Sequence, residues 1–403
     1  MPEADVGIIG GGLAGSLAAA MLGRAGISAV VIDPHQPYPQ DFRCEKIDKR
    51  QISLLAKTGF ASTFLKSATP IPELWVAHYG QIIKRPNDEY SLAYQDFVNI
   101  IRAEIPSTVP FIRGRVSTLS TSDNRQIITV SNGLSYSVRL AILATASNNN
   151  ILHQLRISRD EASVCHSVSI GFDIRPKDRD AFAFPALTYF SDRPETRIGY
   201  VTFFPIGSTM RANVFVYREM RDPWLWAFRE APQAALFAAL PRLQEMVGDF
   251  ELASKIDIRP TNLKVIRGHQ QPGVVLVGDA FSVSCPASGT GLTKVLVDVE
   301  RLCNTYIARW LASEGMGTEK IATFYRDRKK RVSDADSARR GNYMRSLTLD
   351  RGPLWHARRI GWFILRMTTG FLRRISAPPS GLRLTIPNAP GAAGVFDSMR
   401  PRN

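Results

Sequence analysis

Two short segments carry residue types whose spacing suits the chemistry of holding a dinucleotide. Gly10-Gly11-Gly12-Leu13-Ala14-Gly15 has the form G-x-G-x-x-G. It follows the apolar run DVGII and opens a helical pattern, the setting in which such glycines bind a pyrophosphate. Gly10 permits the tight turn, Gly12 lets the backbone approach the phosphates, and Gly15 lets helix and strand pack closely. The helix start then offers unpaired N–H groups to an anion. Asp33 ends the next apolar run and is placed to accept ribose hydroxyls. The second segment is Gly278-Asp279-Ala280, directly after VVLV, continuing as SVSCPASGTGLTKVLVDVERL. Asp279 leaves a strand end where it can hold a ribityl hydroxyl. Pro286, Gly289 and Gly291 shape a loop whose backbone can press against a flat ring. A helix opening near Gly291 aims its N-terminus at that ring and favours negative charge developing there. This suits a flavin.

Other residues carry less chemistry. His78, His166 and His269 read as packed or surface residues. Cys44 and Cys285 read as small packing residues, and no H-x-H or carboxylate cluster suggests a metal. The four cysteines include no CxxC pair, which points to a reducing compartment. Trp224-Leu225-Trp226 has a W-x-W form similar to that of flavin-dependent halogenases, but the Ile-Pro that should follow is replaced by AFREAP. DPWLWAF therefore reads as a helix start with buried aromatics.

The positioning elements follow from periodicity. Residues 5–9, Leu13 to Ala25 and Ala29 to Asp33 form a βαβ unit. Residues 48–66 read as helical, 73–85 as strands of another unit, and Tyr94 to Ala103 as helix. Strand patterns fill 111–145 and 165–217, helices 222–248. A buried strand at Val274 to Val277 precedes a helix from Gly291 to Ser313. Basic helices occupy 319–345 and 353–374, and the tail from Ser376 is rich in Pro and Gly. The fold class is α/β, with α/β pieces at both ends and a β-rich insertion; the family resemblance given below implies a Rossmann-like FAD-binding domain (1–72, 94–165, 262–335), an inserted β-sheet substrate domain (73–93, 166–261), and a basic helical C-terminus (336–403). Strand side chains alternate, so only alternate members of Tyr200, Phe203, Phe204, Phe215 and Tyr217 can line a pocket over the flavin, and the sequence leaves the register open.

The chain has 403 residues, with 51 Lys and Arg against 36 Asp and Glu, a net charge of +15. A 44% hydrophobic, 22% charged makeup excludes disorder and small disulfide scaffolds. Val6 to Ile32 lacks the basic start of a signal peptide, Arg24 interrupts it, and no other run is long enough to span a bilayer. The expectation is a cytoplasmic protein. Arg359, Arg366 and Arg373, seven apart, share one face of the 353–374 helix, which could lie on the inner surface of an anionic membrane. No nucleic-acid module accompanies the charge.

Taken together, the motifs resemble the single-component FAD-dependent monooxygenases typified by para-hydroxybenzoate hydroxylase. The resemblance covers most of the chain: the Gly10–Gly15 fingerprint with Asp33, FRCEKI at 42–47, Gln95 at a helix start, Val116 in RGRVSTL, and GDAFSVSCPASGTGL. It implies noncovalent FAD held by Gly10, Gly12, Leu13, Ala14, Gly15, Asp33, Pro34, Arg43, Gln95, Val116, Thr145, Gly278, Asp279, Pro286, Gly289, Gly291 and Leu292. It also implies NAD(P)H as electron donor, and O2 and an organic substrate as reactants. A flavin hydroperoxide would then hydroxylate or epoxidise an apolar or aromatic compound. Arg43 would position the nicotinamide or the flavin. Two departures stand out: Ala146-Ser147 replaces the family's Asp-Gly, and Ser282 replaces a common His. The first leaves room for a partner reductase. Alternatives are a C=C reductase of prenyl lipids resembling the geranylgeranyl reductases, a halogenase, and a non-enzymatic adaptor keeping a vestigial nucleotide fold.

Overall fold

A computed structural model describes residues 1–145 and 149–375. The βαβ unit forms as read. Strand Glu3–Ile9 pairs in parallel with Ala29–Asp33 and with Ser135–Leu143, and helix Leu13–Arg24 lies between them in sequence. The seven-stranded sheet runs in the order Phe111–Arg113, Ala29–Asp33, Glu3–Ile9, Ser135–Leu143, Gln126–Val130, Val116–Ser120, with Val274–Leu276 also parallel to Ser135–Leu143. Its central strands are apolar on both faces because each face is covered. One face packs on Leu17, Leu22, Phe97, Leu296 and Phe324; the other on Val116, Ile128, Ile151 and Leu155.

A nine-stranded sheet forms the second layer. Its order is Phe250–Leu252, Ser158–Pro176, Thr209–Val216, Ile198–Ile206, Leu187–Phe190, Thr69–His78, Gln81–Ser91 and Lys46–Ile47, with Asp257–Arg267 on the edge of Ser158–Pro176. Three helices, Pro223–Glu230, Pro232–Ala239 and Pro241–Val247, each with proline in the first turn, cover its outer face. Asp222 caps the first of them through the Trp224 N–H. Trp224 donates its indole N–H to Ala235 O, whereas Trp226 is 57% exposed, so only one tryptophan of the pair is packed.

The C-terminal helices differ most from expectation. Helix Arg328–Leu349 is docked onto helix Gly291–Arg301 by Lys330 and Asp298, both 1% exposed, at 2.8 Å. Helix Pro353–Ile375 packs on the Gln81–Ser91 strand, where Gly370 admits Ile83. Arg359 and Arg366 do not form an outward basic face. Arg359 is buried and donates to the carbonyls of Leu347 and Asp350, which the preceding helix end leaves unpaired. Arg366 lies 3.3 Å from the Phe190 ring centroid and beside His78. The Arg373 side chain and the tail from Ser376 lie outside the described residues. Leu354, Ile360, Ile364, Leu365 and Leu372 face outward instead.

Candidate active site

The glycine turn has the geometry its spacing demands. Gly10 adopts φ +104°, closed to L side chains. A Cβ on Gly15 would stand 1.9 Å from the Gly10 carbonyl oxygen, so helix and strand touch there. A Cβ on Gly12 would meet nothing nearer than the Tyr38 ring at 3.9 Å, which leaves an open approach at the helix start. Gly12 caps the helix without a side-chain hydrogen bond of its own, and the Leu13 N–H behind it is shared with the Tyr94 hydroxyl. These features fit a bound pyrophosphate.

Asp33 is more committed than its expected ribose role requires. One oxygen accepts the Gly11 N–H at 2.8 Å, the other the His35 N–H at 2.9 Å, and Arg102 stands 3.2 Å away. Arg102 was not legible as a site residue. It reaches from the end of helix Tyr94–Ala103 to donate twice to Gly11 O and once to His35 O, stacked against Phe111. Its seven-residue offset from Gln95, two helical turns, was the available signal. Gln95 itself is half-buried and does not line the cavity; its neighbour Tyr94 does. Pro34 is half-buried after the strand end, Thr145 stands beside Gly10, and Val116 is buried in the core behind the sheet.

The second motif is braced from behind. Gly278, at φ +58°, donates its N–H to Asp298 Oδ2 at 2.9 Å, and Lys330 holds the other oxygen of Asp298. Asp279 pairs with Arg43 Nη1 at 2.7 Å, and Arg43 Nε donates to Asp41 at the same distance. Pro286 opens a short 3-10 turn, Gly289 takes φ +65°, and Gly291 begins a helix with no side-chain cap. Ser282 donates nothing to a side chain that is described; its carbonyl accepts from buried Lys294.

A cavity of about 430 Å³ joins the two halves. One wall is Leu13, Arg43, Tyr94, Asp279, Pro286, Gly289, Gly291 and Leu292, all but Tyr94 named from sequence. The other is the second sheet. Register places Ser169, Phe215 and Tyr200 in one row and Asn213 and Thr202 in the next. Phe204 continues the same face, whereas Phe203 points to the opposite core with Phe172 and Phe184. Tyr217 packs with Phe215 and Cys285 outside the cavity lining. Gly171 has no side chain because Phe42 occupies that space; a Cβ there would stand 2.3 Å from its ring. Phe42 thereby lays residues 42–46 along the sheet. Glu45 reaches Arg211 at 3.4 Å, and burial, opposed by Arg211, pushes its carboxyl up to about 7. None of His78, His166 and His269 lines the cavity. Among the described residues no group of three or more His, Cys, Asp or Glu could hold a metal ion.

A family model described as an FAD binding domain matches residues 3–131. Residues 3–131 thus carry an FAD-binding domain. A second model, described as squalene epoxidase, matches residues 241–335 of this flavoprotein, the segment holding Gly278–Leu292. Its fold is similar to that of a p-nitrophenol 4-monooxygenase from Pseudomonas putida, at 16% identity over 93% of this chain and 97% of that one, with a TM-score of 0.73. A flavin-dependent brominase matches at 16% identity over 92% and 93%, TM-score 0.68. An FAD-bound halogenase variant matches at 15% identity over 86% and 76%, TM-score 0.65. No curated protein sequence matches the flavoprotein. Trp224 and Trp226 lie on the helical outer layer rather than in the cavity, so the W-x-W form has no part in this site.

Proposed function

We propose that this FAD-dependent oxidoreductase is a monooxygenase that hydroxylates or epoxidises a small, largely apolar organic compound with O2. The observation that carries this reading is one cavity with two kinds of wall: the flavin-type loop on one side, an aromatic sheet face on the other. Bound FAD would accept a hydride and activate O2. The chain's own residues then bind and exclude water. Leu13, Pro286 and Leu292 offer apolar surface and backbone to a flat ring, while Tyr200, Phe204 and Phe215 close the opposite side.

NAD(P)H is the proposed donor. With Ala146-Ser147 where the family has Asp-Gly, direct reduction is slow unless substrate is bound or a partner reductase is supplied. Those two residues lie outside the described ones. The outward apolar side of helix Pro353–Ile375 supports peripheral contact with a lipid surface; among the described residues no helix is long and apolar enough to cross a membrane. The deciding experiment supplies holoenzyme with NADPH, 18O2 and a panel of aromatic and prenylated compounds. Labelled oxygen in a product supports the proposal. Turnover that proceeds anaerobically by saturating a C=C bond replaces it with the reductase reading.

A further inference from the structure

Three buried polar atoms on the sheet side of the cavity have no partner among the described residues: Glu45 Oε2, Ser169 Oγ and Asn213 Oδ1. All three residues line the cavity. Ser169 and Asn213 come from two adjacent strands of the sheet, on one face by register, and Glu45 is held beside them by Arg211 and by the Asn213 amide N–H, which leaves Asn213 Oδ1 unpaired. Unpartnered buried acceptors are costly, and three of them on residues that line one cavity call for a ligand that satisfies them. Glu45 and Asn213 present acceptor oxygens, and the Ser169 hydroxyl can accept as well as donate.

The cations around the cavity are already spent. Arg43 is paired with Asp41 and Asp279, Arg259 with Asp41, and Lys46 with Glu89. Arg211, behind Glu45, is shared with Asp173 at 3.0 Å. Asp257 adds further negative charge near Glu45. The lining therefore holds free acceptors and no free cation among the described residues.

Resting on the monooxygenase reading, we infer that Glu45, Ser169 and Asn213 form a specificity site for a substrate bearing a neutral or cationic hydrogen-bond donor, an aryl amine or hydroxyl, and that this site rejects carboxylates. A substrate N–H or O–H would donate to Glu45 Oε2, with Asn213 Oδ1 as second acceptor. A carboxylate would face Glu45 with no cation to offset the repulsion.

The test is titration of flavin absorbance in the holoenzyme at pH 8 with four matched probes: p-toluidine, p-cresol, p-xylene and p-toluate. A colourless protein fails earlier, at the cofactor, and is distinguishable from any outcome below. The expected result is p-toluidine and p-cresol binding about tenfold tighter than p-xylene, with p-toluate weakest. Glu45→Gln should shrink the donor preference to about threefold or less while leaving p-xylene affinity unchanged. Ser169→Ala, a smaller change, should lower it in the same direction. Four probes of equal affinity, no binding by any of them, tightest binding by p-toluate, or a preference unaltered in both variants would overturn the inference. Loss of FAD from Glu45→Gln would assign the carboxylate to the cofactor and overturn it too.

Discussion

Arg43 and Asp279 stand 236 residues apart in sequence and meet at 2.7 Å. The pair ties the loop that follows the first βαβ unit to the loop that follows the last parallel strand. Asp41 takes the other side of the same guanidinium, and Arg259 takes the other oxygen of Asp41. Glu45, two residues on, turns instead to Arg211.

Asp279→Ala should weaken FAD retention by about 1 kcal/mol or more, the scale of one lost hydrogen bond. Arg43→Ala should have a comparable effect, because it leaves Asp279 without its cation. Fluorescence titration of apoprotein with FAD measures both. Unchanged affinity in both variants would place the isoalloxazine end elsewhere.

The glycine turn separates binding from folding. Gly12→Val should fold with a near-normal melting temperature yet lose FAD affinity by about tenfold or more, since its space is open in the protein and needed by the pyrophosphate. Gly15→Val should lower the melting temperature itself, because its Cβ collides with backbone. Equal thermal effects from the two would contradict this division.

Phe203 and Phe204 are neighbours with opposite roles. Phe203→Ala opens a cavity between sheet and helices and should cost about 3–5 kcal/mol. Phe204→Leu should change the substrate KM several-fold with little loss of stability, as it lines the cavity. Steady-state kinetics beside thermal melts decide this. An altered KM from Phe203 alone would reverse the assignment of faces.

Lys330 and Asp298 form a buried pair, with Asp334 at 3.2 Å from the lysine and the Phe281 ring centroid at 4.0 Å. Lys330→Met leaves Asp298 buried without its cation and should destabilise by about 3–5 kcal/mol. Adding Asp298→Asn should recover part of that loss while keeping an acceptor for the Gly278 N–H. A single variant that melts like the parent would remove the pair from the account of how the last helices dock.

Glu45 should shape the acid side of the stability profile. Its carboxyl is lifted from 4.5 to about 7 by burial, with Arg211 pulling it down and Asp173 and Asp257 raising it. The folded chain therefore keeps a proton that the unfolded chain releases near pH 4.5. The stability this group contributes is fully present below that pH and is lost as pH rises through about 7, by about 3 kcal/mol. Glu45→Gln should flatten that part of the melting-temperature profile; an unchanged slope would mean the carboxyl titrates normally.

Much of the cofactor half was legible because its signals are local. Glycine spacing, a buried strand before it, a helix after it and an acid at the next strand end sit within 33 residues. The same holds for Gly278 to Leu292. Arg102 carries no local signal because its partners, Gly11 and His35, lie 91 and 67 residues away. The spacing of Arg359 and Arg366 predicts an outward stripe that the fold turns inward, because a helical pattern reports which residues share a face, not which way that face turns.

The sequence by itself determined that strands between Ile198 and Tyr217 alternate, that glycines shape two cofactor turns, and that a basic helical end follows. Only the tertiary structure decided that Phe204 rather than Phe203 meets the cavity, that Phe42 fills the space over Gly171, and that Glu45 lies beside Ser169 and Asn213. The physical reason is the same in each case. Periodicity is a property of one strand or helix, while the buried side is set by what packs against it. Here that is the 223–247 helices on one face of the sheet and the 42–46 loop on the other.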